Sequence, residues 1–78
     1  MNDFKQHNLV VGDTVRFTGL GRHPFAGIFL KADEPATVIR TETFGDMPVV
    51  FVAQDDKDDE GVAFADEDLD ILVKMEAN

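Results

Sequence analysis

Seventy-eight residues without a cysteine make one domain near the lower size limit for an independent core. They exclude disulfide staples, thiolate metal sites and a cysteine nucleophile. An apolar share of 44% excludes wholesale disorder, and the formal charge of −9 falls entirely on the second half of the chain. Residues 1–39 hold four acids and four bases, whereas residues 40–78 hold twelve acids against Arg40, Lys57 and Lys74. That imbalance disfavours direct binding to nucleic-acid phosphates or to an anionic membrane surface.

The opening residues, MNDFKQHN, are polar and lack the apolar stretch of a secretory signal. No apolar run approaches the roughly 20 residues of a spanning helix. The expectation is a soluble, cytoplasmic protein. Gly12-Asp13 marks a turn, after which TVRFT alternates, with Val15 and Phe17 on one face of a first strand. Gly19-Leu20-Gly21 breaks it and opens a long connection, GLGRHPFAGIFLKADEP. Within that connection AGIFLKA fits either a short strand or one helical turn.

ATVIRTE (36–42) is β-branched and predicts a second strand, closed by a turn at Gly45-Asp46. PVVFVAQ (48–54) predicts a third, whose near-continuous apolar run implies burial on both sides and whose proline suits its first residue. DDKDDE then forms a loop, and GVAFA a fourth strand with Val62 and Phe64 on one face. DED makes a tight turn into LDILV, where Leu69, Ile71 and Val73 alternate inward. Five short strands, one long early loop and no convincing amphipathic helix predict an all-β fold. The expected form is a single small barrel with its core over about residues 9–74 and frayed termini.

The residues GDTVRF, ATVIR, PVVFV and FADEDLDIL, in that order, resemble the SH3-like small barrel. Its accessory domains of the PsaE-type photosystem I subunit and nitrile hydratase β-subunit kind are the most similar in the middle and at the end. The resemblance runs from Val11 to Val73. It implies a short 3₁₀ turn before the last strand and a role as an adaptor or accessory module. It also implies that the long loop after the first strand lines a partner surface.

Arg22, His23, Phe25 and Phe29 in that loop are the candidate partner-binding residues, of types that dominate interfaces. An equal alternative has Phe25, Phe29 and Leu30 plugging an open end of the barrel. Proline-peptide recognition is disfavoured, since its groove is walled by Tyr and Trp and the chain has neither. A second candidate surface is the acidic face of Asp55, Asp56, Asp58, Asp59, Glu60, Asp66, Glu67 and Asp68, suited to a basic partner or to mimicry of nucleic acid.

Residues 56–67 also approach the spacing of a calcium loop, with Asp56, Asp58, Glu60, Gly61 and Glu67 at its positions 1, 3, 5, 6 and 12. PVVFVAQ before them is a strand pattern, so the incoming helix of an EF-hand is missing. No metal and no cofactor are therefore expected. Catalysis finds little support, because the chain has no serine and its histidines, His7 and His23, have no nucleophile beside them. The short plasmid-type dihydrofolate reductase is a comparable SH3-like chain, but the Gln and Tyr of its pore stretch are missing from GVAFADED.

The expectation is thus a non-catalytic interaction module with a protein partner or a homo-oligomeric state. An acidic inhibitor is the second reading, and a small subunit of an oligomeric enzyme the third.

Overall fold

The structure, a computed structural model, describes residues 8–20 and 24–75. Its first fixed point is the turn at Gly12, where φ is +99°, a value that suits a residue without a β-carbon. Asp13 closes that turn. Its Oδ2 accepts the Val10 amide at 3.0 Å and lies 3.5 Å from Lys74 Nζ. Strand β1, Thr14–Phe17, follows with Val15 and Phe17 buried, as its alternation predicts.

Helix α1, Pro24–Phe29, occupies the connection that the sequence leaves open between strand and helix. Proline is suited to a first helical turn, where its missing N–H has no partner to lose. The Leu30 amide donates to the Ala26 carbonyl at 3.0 Å, and both side chains are buried. Leu20 is buried too, while Ile28 and Phe29 are exposed. A helix of six residues is too short to display a 3.6-residue period, which is why sequence patterning leaves it undecided.

Strands β2 (Ala36–Phe44) and β3 (Met47–Ala53) form a long hairpin around Gly45-Asp46, with positive φ at Gly45 as two-residue hairpin loops require. Pro48 falls one residue inside β3. It stands opposite Thr43, beyond the end of strand β4 (Val62–Ala65), whose pairing with β3 begins at Val49. Its missing N–H therefore interrupts no ladder. Val49, Val50, Val52 and Ala53 are all buried, in keeping with the expectation of burial on both faces of β3.

Near the end of the chain the expected 3₁₀ turn before the last strand is present, but it is longer than alternation allows. It spans Asp66–Ile71 and leaves strand β5 only Leu72–Lys74, where alternation predicts a strand from Leu69. Leu69 and Ile71 are buried from the helix, and Leu72 joins them while Val73 is only half-buried. A 3₁₀ helix repeats every three residues, so Leu69 and Leu72 share a side and the two-residue alternation ends there.

The five strands make one antiparallel sheet in the order β4-β3-β2-β1-β5, the expected small all-β domain. Among the described residues β4 and β5 do not pair with one another, and the 3₁₀ helix joins them directly. The sheet is strongly curled. β1 and β4 stand three strand spacings apart, about 14 Å in a flat sheet. The rings of Phe17 and Phe64 nonetheless stack with centroids 6.0 Å apart, at an interplanar angle of 27°. A bulge in β2 between Val38 and Arg40 supplies part of the bend. The core of Val15, Phe17, Val38, Val50, Val52, Phe64 and Ile71 fills the inside of that curve.

Truncating Phe64 to alanine should cost about 3–5 kcal/mol, because it empties the contact that holds the curl. Leu72→Ala should cost more than Val73→Ala, the reverse of the order that simple strand alternation implies. Urea unfolding of the three variants checks both statements.

Candidate functional site

Phe29 of the candidate loop and the tip of the acidic face meet at one place. The chain leaves α1 at Phe29 and passes Lys31 and Glu34 beside the end of β3, where Gln54 holds it. The Lys31 amide donates to Gln54 Oε1 at 2.8 Å. Gln54 Nε2 donates to the Lys31 carbonyl at 2.6 Å and to the Glu34 carbonyl at 3.0 Å. The side-chain amide thus behaves like a peptide group and pairs with Lys31 as a neighbouring strand would. Sequence reasoning assigned Gln54 no role, because nothing local distinguishes a clasp across 23 positions from a polar residue ending a strand.

Beyond Gln54 the acidic tip is folded by its own carboxylates. Asp55 Oδ1 accepts the Lys57 amide at 2.9 Å, and the Asp58 amide donates to the Asp55 carbonyl at 3.0 Å. Asp58 Oδ1 accepts both the Glu60 amide at 3.1 Å and the Gly61 amide at 3.0 Å. These are the side-chain-to-backbone turns that make aspartate frequent in tight loops.

Gly61 ends the tip at φ +73°. A β-carbon there would lie 2.8 Å from Ile39 Cδ1 and 2.9 Å from the Val52 carbonyl oxygen. The glycine in the sixth position of the calcium-loop pattern therefore serves a close approach between strands. Asp58 spends one oxygen on backbone amides. Among the described residues no group of three Asp, Glu or His side chains is arranged to hold a metal ion.

Between α1 and the tip lies an open cleft of ≈ 540 Å³. It is lined by Phe29, Leu30, Lys31, Glu34 and Gln54 on one side and by Asp55, Asp56 and Asp58 on the other. An adjoining depression is bounded by Phe29, Asp58, Glu60, Gly61 and Val62. Phe29 and Asp58 are common to both, so one exposed aromatic stands where two acidic recesses meet. Five carboxylates, Asp55, Asp56, Asp58, Asp59 and Glu60, crowd the tip with Lys57 as the single cation, and all six are exposed. The local potential is strongly negative.

Of the loop candidates, Phe29 reaches this cleft. Leu30 lines it too but is almost wholly buried in the core, whereas Phe29 lies outside the core. Arg22, His23 and the side chain of Phe25 lie outside the described residues.

The acidic candidates divide into two groups. Asp55 to Glu60 belong to the tip, whereas Glu67 and Asp68 belong to the 3₁₀ helix at the far end of β4, one strand length away. The side chain of Asp66 lies outside the described residues. Among the described residues no polar or charged side chain is buried, and no helix is long and apolar enough to cross a membrane.

Gly61→Ala should lower stability by about 1–3 kcal/mol, from positive φ and contact with the Val52 carbonyl together. Gln54→Ala should accelerate hydrogen exchange at the Lys31 amide while leaving the β2–β3 ladder protected, since the clasp lies outside the sheet. Exchange monitored by NMR reads that difference. No protein-family model, no curated protein and no solved structure matches this chain.

Proposed function

We propose that this protein is a non-catalytic interaction module on an SH3-like barrel plan, which binds a basic segment of a partner protein in the cleft between α1 and the β3–β4 tip. The strand order β4-β3-β2-β1-β5 and the 3₁₀ helix before β5 support the SH3-like part of the reading. One observation carries the functional part: Phe29 shares a single opening with Asp55, Asp56 and Asp58. An aromatic face across a cleft from carboxylates attracts a lysine or arginine twice over, through the charge of its head and through stacking of its stem on the ring. Lys31, on the same wall as Phe29, would pair with an acid flanking the basic residue, and so favour a segment of mixed charge over a uniformly basic one.

The second acidic group, Glu67 and Asp68 with Asp70 on the 3₁₀ helix, favours a different contact. Together with the tip it spreads negative charge over both ends of β4, as an acidic inhibitor of a broad basic surface would. The two readings differ in their dependence on Phe29.

Pull-down with wild type, Phe29→Ala and an Asp55/Asp56/Asp58→Asn triple variant distinguishes them, because asparagine keeps the oxygens that cap the tip while removing its charge. Cleft binding predicts a loss of about thirtyfold or more in affinity for Phe29→Ala, the scale of an interface hot spot. It also predicts weaker binding as salt rises. An inhibitor of the broader kind would tolerate Phe29→Ala and require both acidic groups. If neither variant changes the partners recovered, both readings fail.

A further inference from the structure

Among the described residues, nothing covers the sheet edge along the distal half of β2. β1 pairs with β2 only at Ala36 and Thr37, and the Val38 amide and carbonyl are then taken by Asp13 and Gly12. From Arg40 to Phe44, no described residue bonds that edge.

The hairpin phase determines which groups point outward. A two-residue loop is closed by the hydrogen-bonded pair Phe44–Met47, so Glu42–Val49 and Arg40–Phe51 are the bonded pairs that follow. Thr43–Pro48 and Thr41–Val50 are the non-bonded pairs, which agrees with a proline at 48 having no N–H to give. The N–H and C=O of Thr41 and Thr43 therefore face away from β3.

Among the described residues the outer edges of β4 and β5 differ from that of β2. That of β4 is flanked by Glu60 and Glu67, and that of β5 is three residues long. Short length and flanking charge are the usual protections of an edge. The β2 edge is longer and locally neutral, since Arg40 Nε lies 3.4 Å from Glu42 Oε2 while its guanidinium covers the Phe51 ring at 4.1 Å. Phe44, beside it, is 56% exposed.

We infer that this edge is the surface on which a second copy of the chain docks, β2 against β2 in antiparallel register about a two-fold axis. Only the register that sets Thr41 opposite Thr43 of the second copy uses every outward group, and it forms four N–H···O bonds. It places the Arg40 side chain against the exposed Phe44 of its partner. The two Glu42 carboxylates meet at the axis, each with its own Arg40 beside it, so that the seam alternates to zero net charge. A copy carrying −9 meets least local repulsion along this neutral strip. The pairing leaves the cleft at α1 open and does not rest on the function proposed for it.

Sedimentation equilibrium on the full 78-residue chain tests the inference. A monomer–dimer equilibrium is expected that tightens as salt is raised, because screening relieves repulsion between two acidic chains, opposite to the salt response of a basic partner in the cleft. Thr43→Pro removes an outward N–H without touching the β2–β3 ladder and should weaken the dimer at least about tenfold, with the circular-dichroism spectrum retained. Glu42→Lys alters only an exposed side chain and should weaken it too, by placing four cations at the seam. A dimer held by any other surface would instead be strengthened by Glu42→Lys, since each chain loses net negative charge. A chain that stays monomeric to about 1 mM in high salt, or a dimer that Glu42→Lys tightens, overturns the inference.

Discussion

The stacking of Phe17 on Phe64 is the contact on which the rest of the molecule depends. A five-stranded sheet from so short a chain could lie open, with one face wet and little buried. Bringing β1 and β4 within ring contact turns the sheet around its own apolar face, so that Val15, Val38, Val50 and Val52 become almost wholly inaccessible. With no cysteine available, that burial is the main source of stability, and it balances chain entropy only narrowly at this size. The 3₁₀ helix is the complement of the curl. It crosses from β4 to β5, where no ladder joins them, and contributes Leu69 and Ile71 to the core.

A frame this small has few places for recognition. The inward faces are occupied, so function falls to loops, hairpin tips and uncovered edges. The α1 connection and the acidic tip lie far apart in sequence, and Gln54 holds them together with three hydrogen bonds. The result brings an aromatic ring and carboxylates to one opening. The acids contribute in two ways: Asp55 and Asp58 shape the backbone with one oxygen, and the charge of the whole tip remains available to solvent or to a cation. At the other end of β3 the hairpin extends past β1 and carries the neutral strip of β2. The acidic tip and the neutral strip therefore stand at opposite ends of β3.

Strand positions were legible where side chains alternate or are uniformly apolar, as in TVRF and MPVVFVA. Such patterns report burial directly, and burial in a sheet has a period of two. Two elements were legible only in part, α1 as one of two alternatives and the 3₁₀ helix through the family resemblance alone. α1 has only six residues, with Gly27 among them, so no helical period develops. In LDILV the alternation of Leu69, Ile71 and Val73 imitates a strand, although the first two are buried from a 3₁₀ helix. The calcium-like spacing of residues 56–67 has the same limit, because spacing along the chain is not geometry in space: a β-carbon at Gly61 would meet Ile39 and the Val52 carbonyl. Phe29 and Leu30 show the same limit, as adjacent apolar residues of which the fold buries one and exposes the other.

Composition and periodicity alone specify the fold class, the five strands in chain order, and the placement of all excess charge in the second half. Those properties follow from local composition and periodicity, which depend on near neighbours in the chain. Only the tertiary structure decided that Phe29 and the Asp55–Glu60 tip share one opening, that the acidic residues separate to the two ends of β4, and that β2 outruns β1 to leave Thr41 and Thr43 facing outward. Each of those depends on where strands start, stop and curl relative to one another, and that is set by long-range packing against a common core.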